Sequence, residues 1–411
     1  MPSRHTPIMT LLLMACISCD ALHVLKLRTA VTQWHPIGRS GSRLGGGGGG
    51  VDGLTTTTAI FAKFTPTDAD VHLHQTLHQL GVQGVASHLN PRGVEVCTTS
   101  RSVAGRGVFW SPSVATGSEQ ETAQTGDVLA WVPKSSILTL SNIDSMSPAS
   151  GDTSNKEEVL IMMNAFASLS SKSSWPVAFT LYVHAVAQQN EAFREWIESF
   201  MGPSPPICPP DSEKAGDATE KERTYNEAVQ SLMSMAQVSE ETAKEASAAR
   251  YQSYTRDWSA AKEWMENDND NTSKCINIDE LQFAKLYSIL ISRTANLGPT
   301  YQRDSERNVF VRGVIPLHDM INHPPPSVEH NVELLTVGDV REMLPEERLQ
   351  QLVGTVFQHN NVLDDRDVLL IARREISPGD ELFLSYRNNR AKPMEEKERA
   401  WTTLQYGFLI Q

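Results

Sequence analysis

"PLHDMINHPPPSVEHNVEL", Pro316 to Leu334, is the stretch on which the reading of this chain turns. An apolar lead-in runs into Asp319, Asn322 and His323, and Pro324, Pro325 and Pro326 follow at once. Proline lacks an amide hydrogen and restricts the residue before it, so a helix cannot run on past His323. His318 and His330 lie close by, which makes a metal site the first rival. The spacing from His318 to His323 is five, however, and on a helix the two side chains would point apart rather than converge as an i, i+4 pair does. A metal-dependent hydrolase stays as an alternative that elemental analysis decides.

Downstream, "ISPGDELFLSYRNN" places a turn at Pro378, Gly379 and Asp380 ahead of a short strand that ends at Tyr386. Upstream, "AGRGVF", Ala104 to Phe109, is a glycine turn before a strand. Between these two β-rich ends lies a section, about 155–296, with helical spacing. It includes "WPVAFTLYVHAVAQQNEAFREWIESF" and "DELQFAKLYSILISRTAN". Strands are expected in "VEVCTTS", "GVFWS", "DVLAWVP", "NVFVRGVIPL" and "DVLLIARREI". A helix with an Asp cap is expected in "DADVHLHQTLHQLGV", its His72, His74 and His78 exposed. The layout is β, helical insert, β. There is no GxSxG motif, and no Walker A or GxGxxG phosphate loop.

The formal net charge of the 411 residues is -13, which argues against non-specific attraction to nucleic acid or anionic membrane. Asp211 to Glu280 holds sixteen acidic residues against eight basic and reads as solvated helical surface. The cysteines are Cys16, Cys19, Cys97, Cys208 and Cys275, and past the leader they form neither a zinc cage nor a disulfide framework. Residues 1–20 have the basic-then-apolar character of a secretory signal, with an apolar run too short to span a bilayer. Residues 21–67 read as an acid-poor, transit-like segment and flexible linker, with Gly45 to Gly50 and Thr55 to Thr58 at its heart. The two together resemble the two-part plastid address of algae with complex plastids, with simple secretion, or the cytoplasm if the leader is unused, as alternatives.

Taken together, "AGRGVF", "LISRTANLG", "VIPLHDMINH", "GDELFLSY" and "LQYGFLI" resemble the SET-domain protein methyltransferases, in the branch of the Rubisco large-subunit lysine and actin-histidine enzymes. The resemblance runs from about Gly93 to Ile410. It implies a mostly β SET fold with a pseudoknot plus a helical insert, an α+β chain behind a disordered N-terminal leader, with the SET domain over 68–411. It implies S-adenosylmethionine as cofactor, held by Gly105, Arg106 and Gly107 through their main chain, by Arg293 at the carboxylate, and by Asn322 and His323. It implies Tyr386 as the catalytic tyrosine, and Tyr386 with Tyr406 as the wall of the acceptor channel, with Asp319 bracing the knot. The implied partner is a protein substrate and the implied reaction lysine N-methylation. A histidine acceptor, or a SET-fold binding module without catalysis, stays open, as does the oligomeric state. No metal is implied. Two departures from the family pattern stand out: Arg387 follows the tyrosine where glycine is usual, and "RAKPMEEKERAWTTLQYGF" is a longer, more charged link. No counterpart of the family's further C-terminal helical domain is expected within these 411 residues.

Overall fold

A computed structural model describes residues 67–406 except 87–92, 100–101, 103–105, 112–121, 141–164, 167–168, 170–173, 201–217, 268–275, 298–310, 326–327, 355–362 and 387–393. The leader and nearly all of the linker therefore lie outside the described residues, as do Cys208, Cys275, Gly105 and Arg387.

Helix α1, Asp68–Gln79, begins with a reciprocal cap. The expected Asp cap is in fact Thr67: its Oγ1 accepts from the Asp70 N–H at 3.2 Å, and the Asp70 carboxylate accepts from the Thr67 N–H at 3.0 Å. Asp70 is fully buried and reaches across to strand β1, Gly93–Thr98, accepting from the Thr98 N–H at 3.1 Å and the Thr98 hydroxyl at 2.9 Å. Burial raises its pKa, but these hydrogen bonds to the ionised form outweigh burial and hold it below the usual value. His74 also departs from expectation, because α1 packs on β1 and turns this residue inward. Its Nε2 accepts from the Val96 N–H at 2.9 Å, and burial lowers its pKa. His72 and His78 are exposed as expected.

Strand β1 pairs antiparallel with β2, Arg106–Ser111, with Val96 opposite Val108. A second sheet has the order β3, β8, β7, from Val128–Val132, Val368–Ala372 and Val332–Thr336, all antiparallel. In β8, Val368, Leu370 and Ala372 face the main core while Leu369 faces a second cluster with Val337, Val340 and Leu349. A strand buried on both faces reads as a continuous apolar run, and "VLLIA" does so. A third, small sheet joins β4, Leu138–Thr139, to β6, Arg312–Val314, and β6 to β5, Ala295–Asn296.

The helical insert holds α2, Trp175–Gln189, α3, Glu191–Phe200, α4, Ala218–Ala236, α5, Glu240–Asn267, and α6, Glu280–Arg293. The stretch Trp175 to Phe200 forms two helices, because Asn190 adopts an extended conformation between them and its side chain accepts from the Phe193 N–H at 3.2 Å. Helix α2 is apolar almost all round and packs against α3, α5 and α6. Phe179 and Tyr182 of α2 stand ring to ring, Phe283 and Tyr287 of α6 meet Tyr254 of α5, and the Tyr287 hydroxyl donates to the buried Asp257 at 2.7 Å.

Helix also occurs beyond the insert. α7, Val337–Met343, and α8, Glu346–Gly354, cover the outer face of the second sheet. α9, Glu396–Tyr406, folds back onto α4, α5 and α6. The charged link noted in the sequence is thus largely this helix. Its Ala400 and Leu404 close a third apolar cluster with Val229, Leu232 and Ala243. None of the helices among the described residues is long and apolar enough to cross a membrane.

Candidate functional site

The turn expected at Pro378 to Asp380 is present. Gly379 has φ +80°, a left-handed conformation that glycine adopts without penalty, and the Asp380 N–H donates to the Ser377 carbonyl at 3.0 Å. The segment after it, Glu381 to Tyr386, is extended but paired only through isolated bridges rather than along a full strand.

Its two edges carry different partners. On one edge the Leu382 N–H donates to the Val108 carbonyl of β2 at 2.7 Å, and the Leu384 N–H to the Asn322 carbonyl at 3.0 Å. On the other edge the Phe383 N–H donates to Asn331 Oδ1 at 2.7 Å, and Asn331 Nδ2 donates to the Glu381 carbonyl at 2.9 Å. Alternate residues of an extended chain present their amides to opposite edges, so Asn322 and Asn331 flank this segment. The chain between them passes from one side to the other, and the C-terminal segment runs beneath that loop. Pro324 and Pro325 fall inside the loop, and what precedes them is one 3₁₀ turn, His318–Met320, with Ile321 extended. The backbone does stop being helical where the sequence requires it.

This threading brings Asn322, His323 and Tyr386 together. The Tyr386 N–H donates to His323 Nδ1 at 3.2 Å, so the neutral ring carries its hydrogen on Nε2. The two rings stand 5.5 Å apart at 45°. The Tyr386 hydroxyl donates to the Ile321 carbonyl at 2.5 Å. With its hydrogen spent there, the phenol oxygen faces any further partner as an acceptor.

Asn322 is held by three acceptors. Its Nδ2 donates to the Arg106 carbonyl at 2.8 Å, to Glu381 Oε1 at 2.8 Å and to Ser102 Oγ at 3.0 Å. A carbonyl and a carboxylate only accept, which fixes the NH₂ toward them and the amide oxygen away. Ser102 Oγ in turn donates to Glu381 Oε1 at 2.8 Å. Gly107 is glycine for steric reasons: a Cβ there would overlap Glu381 Oε1 and stand 2.8 Å from Ser102 Oγ. The Arg106 side chain is directed elsewhere, to the Ser199 carbonyl at 2.9 Å and toward Asp70 at 3.8 Å. Neither Glu381 nor Ser102 was singled out in the sequence. Glu381 stood in view within "GDELFLSY", but nothing local says which way its carboxylate turns.

Arg293 is the last residue of α6, where a cation suits the helix dipole. Its Nη1 donates to the Asp319 carbonyl, which fastens the insert to the knot. Asp319 and His318 are both buried there. Burial raises the Asp319 pKa to about 6, with the Arg293 charge and the Trp196 indole opposing. Burial, and then the Arg293 charge, lowers that of His318 to about 4. The preceding Leu317 has φ +73°, a strained conformation for a branched side chain, costing on the order of 1–3 kcal/mol. The bond that ties Asp319 to α6 is made by its main-chain carbonyl, not by its carboxylate. Tyr406 ends α9, and its side chain, like Gly105, lies outside the described residues.

Among the described residues no group of three or more His, Cys, Asp or Glu is arranged to hold a metal ion. Cys97 is buried and its thiol is pushed up by burial, which makes it a poor nucleophile.

No protein-family model and no curated protein matches the chain. Solved structures do. The SET domain of LSMT bound to lysine and AdoHcy matches with a TM-score of 0.47 and 13% identity, over 83% of this chain and 57% of that one. The same SET domain bound to methyllysine and AdoHcy matches with a TM-score of 0.45 and 13% identity, over 84% and 58%. This chain therefore spans less than two thirds of the proteins it matches. Likeness at this level assigns no family, and the functional reading rests on the residues of the site.

Proposed function

We propose that this chain is a SET-type, S-adenosylmethionine-dependent protein N-methyltransferase acting on lysine. One observation carries the reading: Asn322 and His323 meet Tyr386 across a threaded segment, with the tyrosine hydroxyl fixed by the Ile321 carbonyl.

The donor set suits the cofactor. Arg293, at the end of α6 beside the knot, carries a planar guanidinium fork of the kind that matches a carboxylate. The Asn322 amide oxygen, turned away from its three acceptors, offers a polar contact to a heterocycle. The glycine edge at Gly107 keeps the backbone approachable. When bound, S-adenosylmethionine supplies a methyl group already activated on a sulfonium, so the protein's contribution is orientation.

Tyr386 is the orienting group. Its oxygen, having donated to Ile321, accepts from the N–H of an incoming amine and directs the nitrogen lone pair. The acceptor must arrive neutral. A lysine with pKa about 10.4 costs about 3 kcal/mol to deprotonate at pH near 8, a cost that desolvation beside the aromatic pair reduces. His323 holds the Tyr386 backbone and does no proton transfer in this scheme. We further propose that the leader directs the protein to a plastid, which a fluorescent fusion of residues 1–67 tests.

The decisive experiment is calorimetry with S-adenosylhomocysteine followed by transfer of labelled methyl groups into cell extract. Binding with transfer onto lysine supports the proposal. Transfer onto histidine corrects the acceptor, binding without transfer makes the chain a binding module, and no binding ends the reading.

A further inference from the structure

We propose that Glu381 is a positioning residue of this site, and that one of its carboxylate oxygens sets the geometry of the cofactor cradle. The proposal rests on the methyltransferase reading above and extends it to a residue that never touches the ligand.

Three chain segments must be mutually placed for the site to exist: the start of β2, the Asn322 segment and the strand-like run that ends at Tyr386. Their main chains are joined at intervals, and two side chains, Asn322 and Glu381, touch all three. Glu381 belongs to the third segment. Its Oε1 accepts from Asn322 Nδ2 at 2.8 Å and from Ser102 Oγ at 2.8 Å, and it lies against Gly107, where a methyl group would displace it. Ser102 and Asn322 also bond each other at 3.0 Å, which closes a triangle. Hydrogen bonds to an ionised acceptor are roughly twice as strong as neutral ones, so the carboxylate dominates the triangle.

The consequence is directional. An asparagine amide turns over readily unless its partners forbid it. Here a flip would set the amide oxygen against the Arg106 carbonyl and the Glu381 carboxylate. The carboxylate therefore holds the Asn322 oxygen facing the ligand side and keeps the segment leading to Tyr386 in register with it. Removing the carboxylate frees the amide and loosens the distance between the cofactor residues and the tyrosine.

The test uses the full chain and measures S-adenosylhomocysteine affinity by calorimetry, with steady-state constants for methyl transfer and circular dichroism alongside. Glu381→Ala is expected to weaken affinity about 30-fold, the loss of two charge-assisted bonds. Glu381→Gln keeps the oxygen in place and is expected to recover affinity to within about 5-fold of wild type. KM for the cofactor rises in step with the affinity loss, whereas a merely structural role would lower thermal stability and leave affinity intact at temperatures where the variant is folded. If Glu381→Ala does not fold, Ser102→Ala decides the matter: it removes one corner of the triangle and is expected to weaken affinity about 3-fold. Wild-type affinity in a folded Glu381→Ala, or in Ser102→Ala where the first cannot be made, overturns the positioning role alone. Failure of the wild-type chain to bind overturns the methyltransferase reading and this role with it.

Discussion

Asn331 offers the sharpest test of the threaded architecture. It is 4% exposed and clasps the C-terminal segment with both ends of its amide. Oδ1 accepts from the Phe383 N–H at 2.7 Å, and Nδ2 donates to the Glu381 carbonyl at 2.9 Å. Asn331→Ala removes both bonds and leaves a backbone donor and a backbone acceptor without those partners in the interior. Each orphaned group costs about 1–3 kcal/mol, so the expected loss is about 3 kcal/mol, toward the low end for each because the main-chain bond from the Asn331 N–H to the Phe383 carbonyl survives. Urea unfolding measures the global loss. Hydrogen exchange locates it: about 3 kcal/mol corresponds to roughly 100-fold faster exchange over Glu381 to Tyr386, with β1 changed less. Asn331→Asp is nearly isosteric and separates shape from hydrogen bonding. It keeps the acceptor for Phe383 but sets an oxygen against the Glu381 carbonyl. That repulsion raises the carboxyl's folded pKa, so the variant binds a proton more readily when folded and gains stability as pH falls. A loss below about 0.5 kcal/mol in Asn331→Ala, or equal acceleration in β1 and in the threaded segment, would refute the view that this amide clasps the knot.

Other expectations follow from the same geometry. Tyr386→Phe strips the donor from the Ile321 carbonyl, costs about 1 kcal/mol of stability, and is expected to cut methyl transfer at least about 100-fold while leaving S-adenosylhomocysteine affinity within about 3-fold; unchanged turnover refutes the orienting role. Gly107→Ala forces Glu381 aside and is expected to weaken cofactor affinity about 10-fold with a stability loss of about 1–3 kcal/mol, read by calorimetry and thermal unfolding. The pair at the head of the knot predicts opposed pH effects. Asp319, raised to about 6, takes up its proton more readily when folded and so stabilises the fold as pH falls through that value; His318, lowered to about 4, resists protonation when folded and so destabilises it as pH falls from about 6.5. The two slopes, each about 1.4 kcal/mol per pH unit, largely cancel between pH 4 and 6 in the wild type. Relative to wild type, Asp319→Asn should therefore lose stability as pH drops across that window and His318→Gln should gain it, in urea titrations at several pH values.

How much of this was legible beforehand varied with the range of the interaction. The absence of helix past His323, the Gly379 turn, the strands β1, β2, β3 and β8 and the helical spacing of α6 all follow from neighbours a few residues apart, and the described residues show each of them. Helices α7, α8 and α9 were not anticipated. Their stability comes from covering the second sheet and from closing the third cluster, so the partner surface is needed to see them. His74 looked like a surface residue because its helix is short and polar, and only the β1 backbone beside it explains its burial.

For the site, the sequence by itself determined which residue types were available and where the backbone had to break. Prolines after His323 and the glycine at position 379 act through steric limits on one or two dihedrals, which any neighbouring context leaves intact. Tertiary structure alone decided who holds whom: that Asn331 rather than a histidine clasps the threaded segment, that Glu381 turns back over Gly107, and that the Tyr386 hydroxyl spends its hydrogen on Ile321. Those choices depend on hydrogen bonds between residues some fifty to several hundred positions apart. Their partners are set by the path of the whole chain, and no local pattern encodes that path.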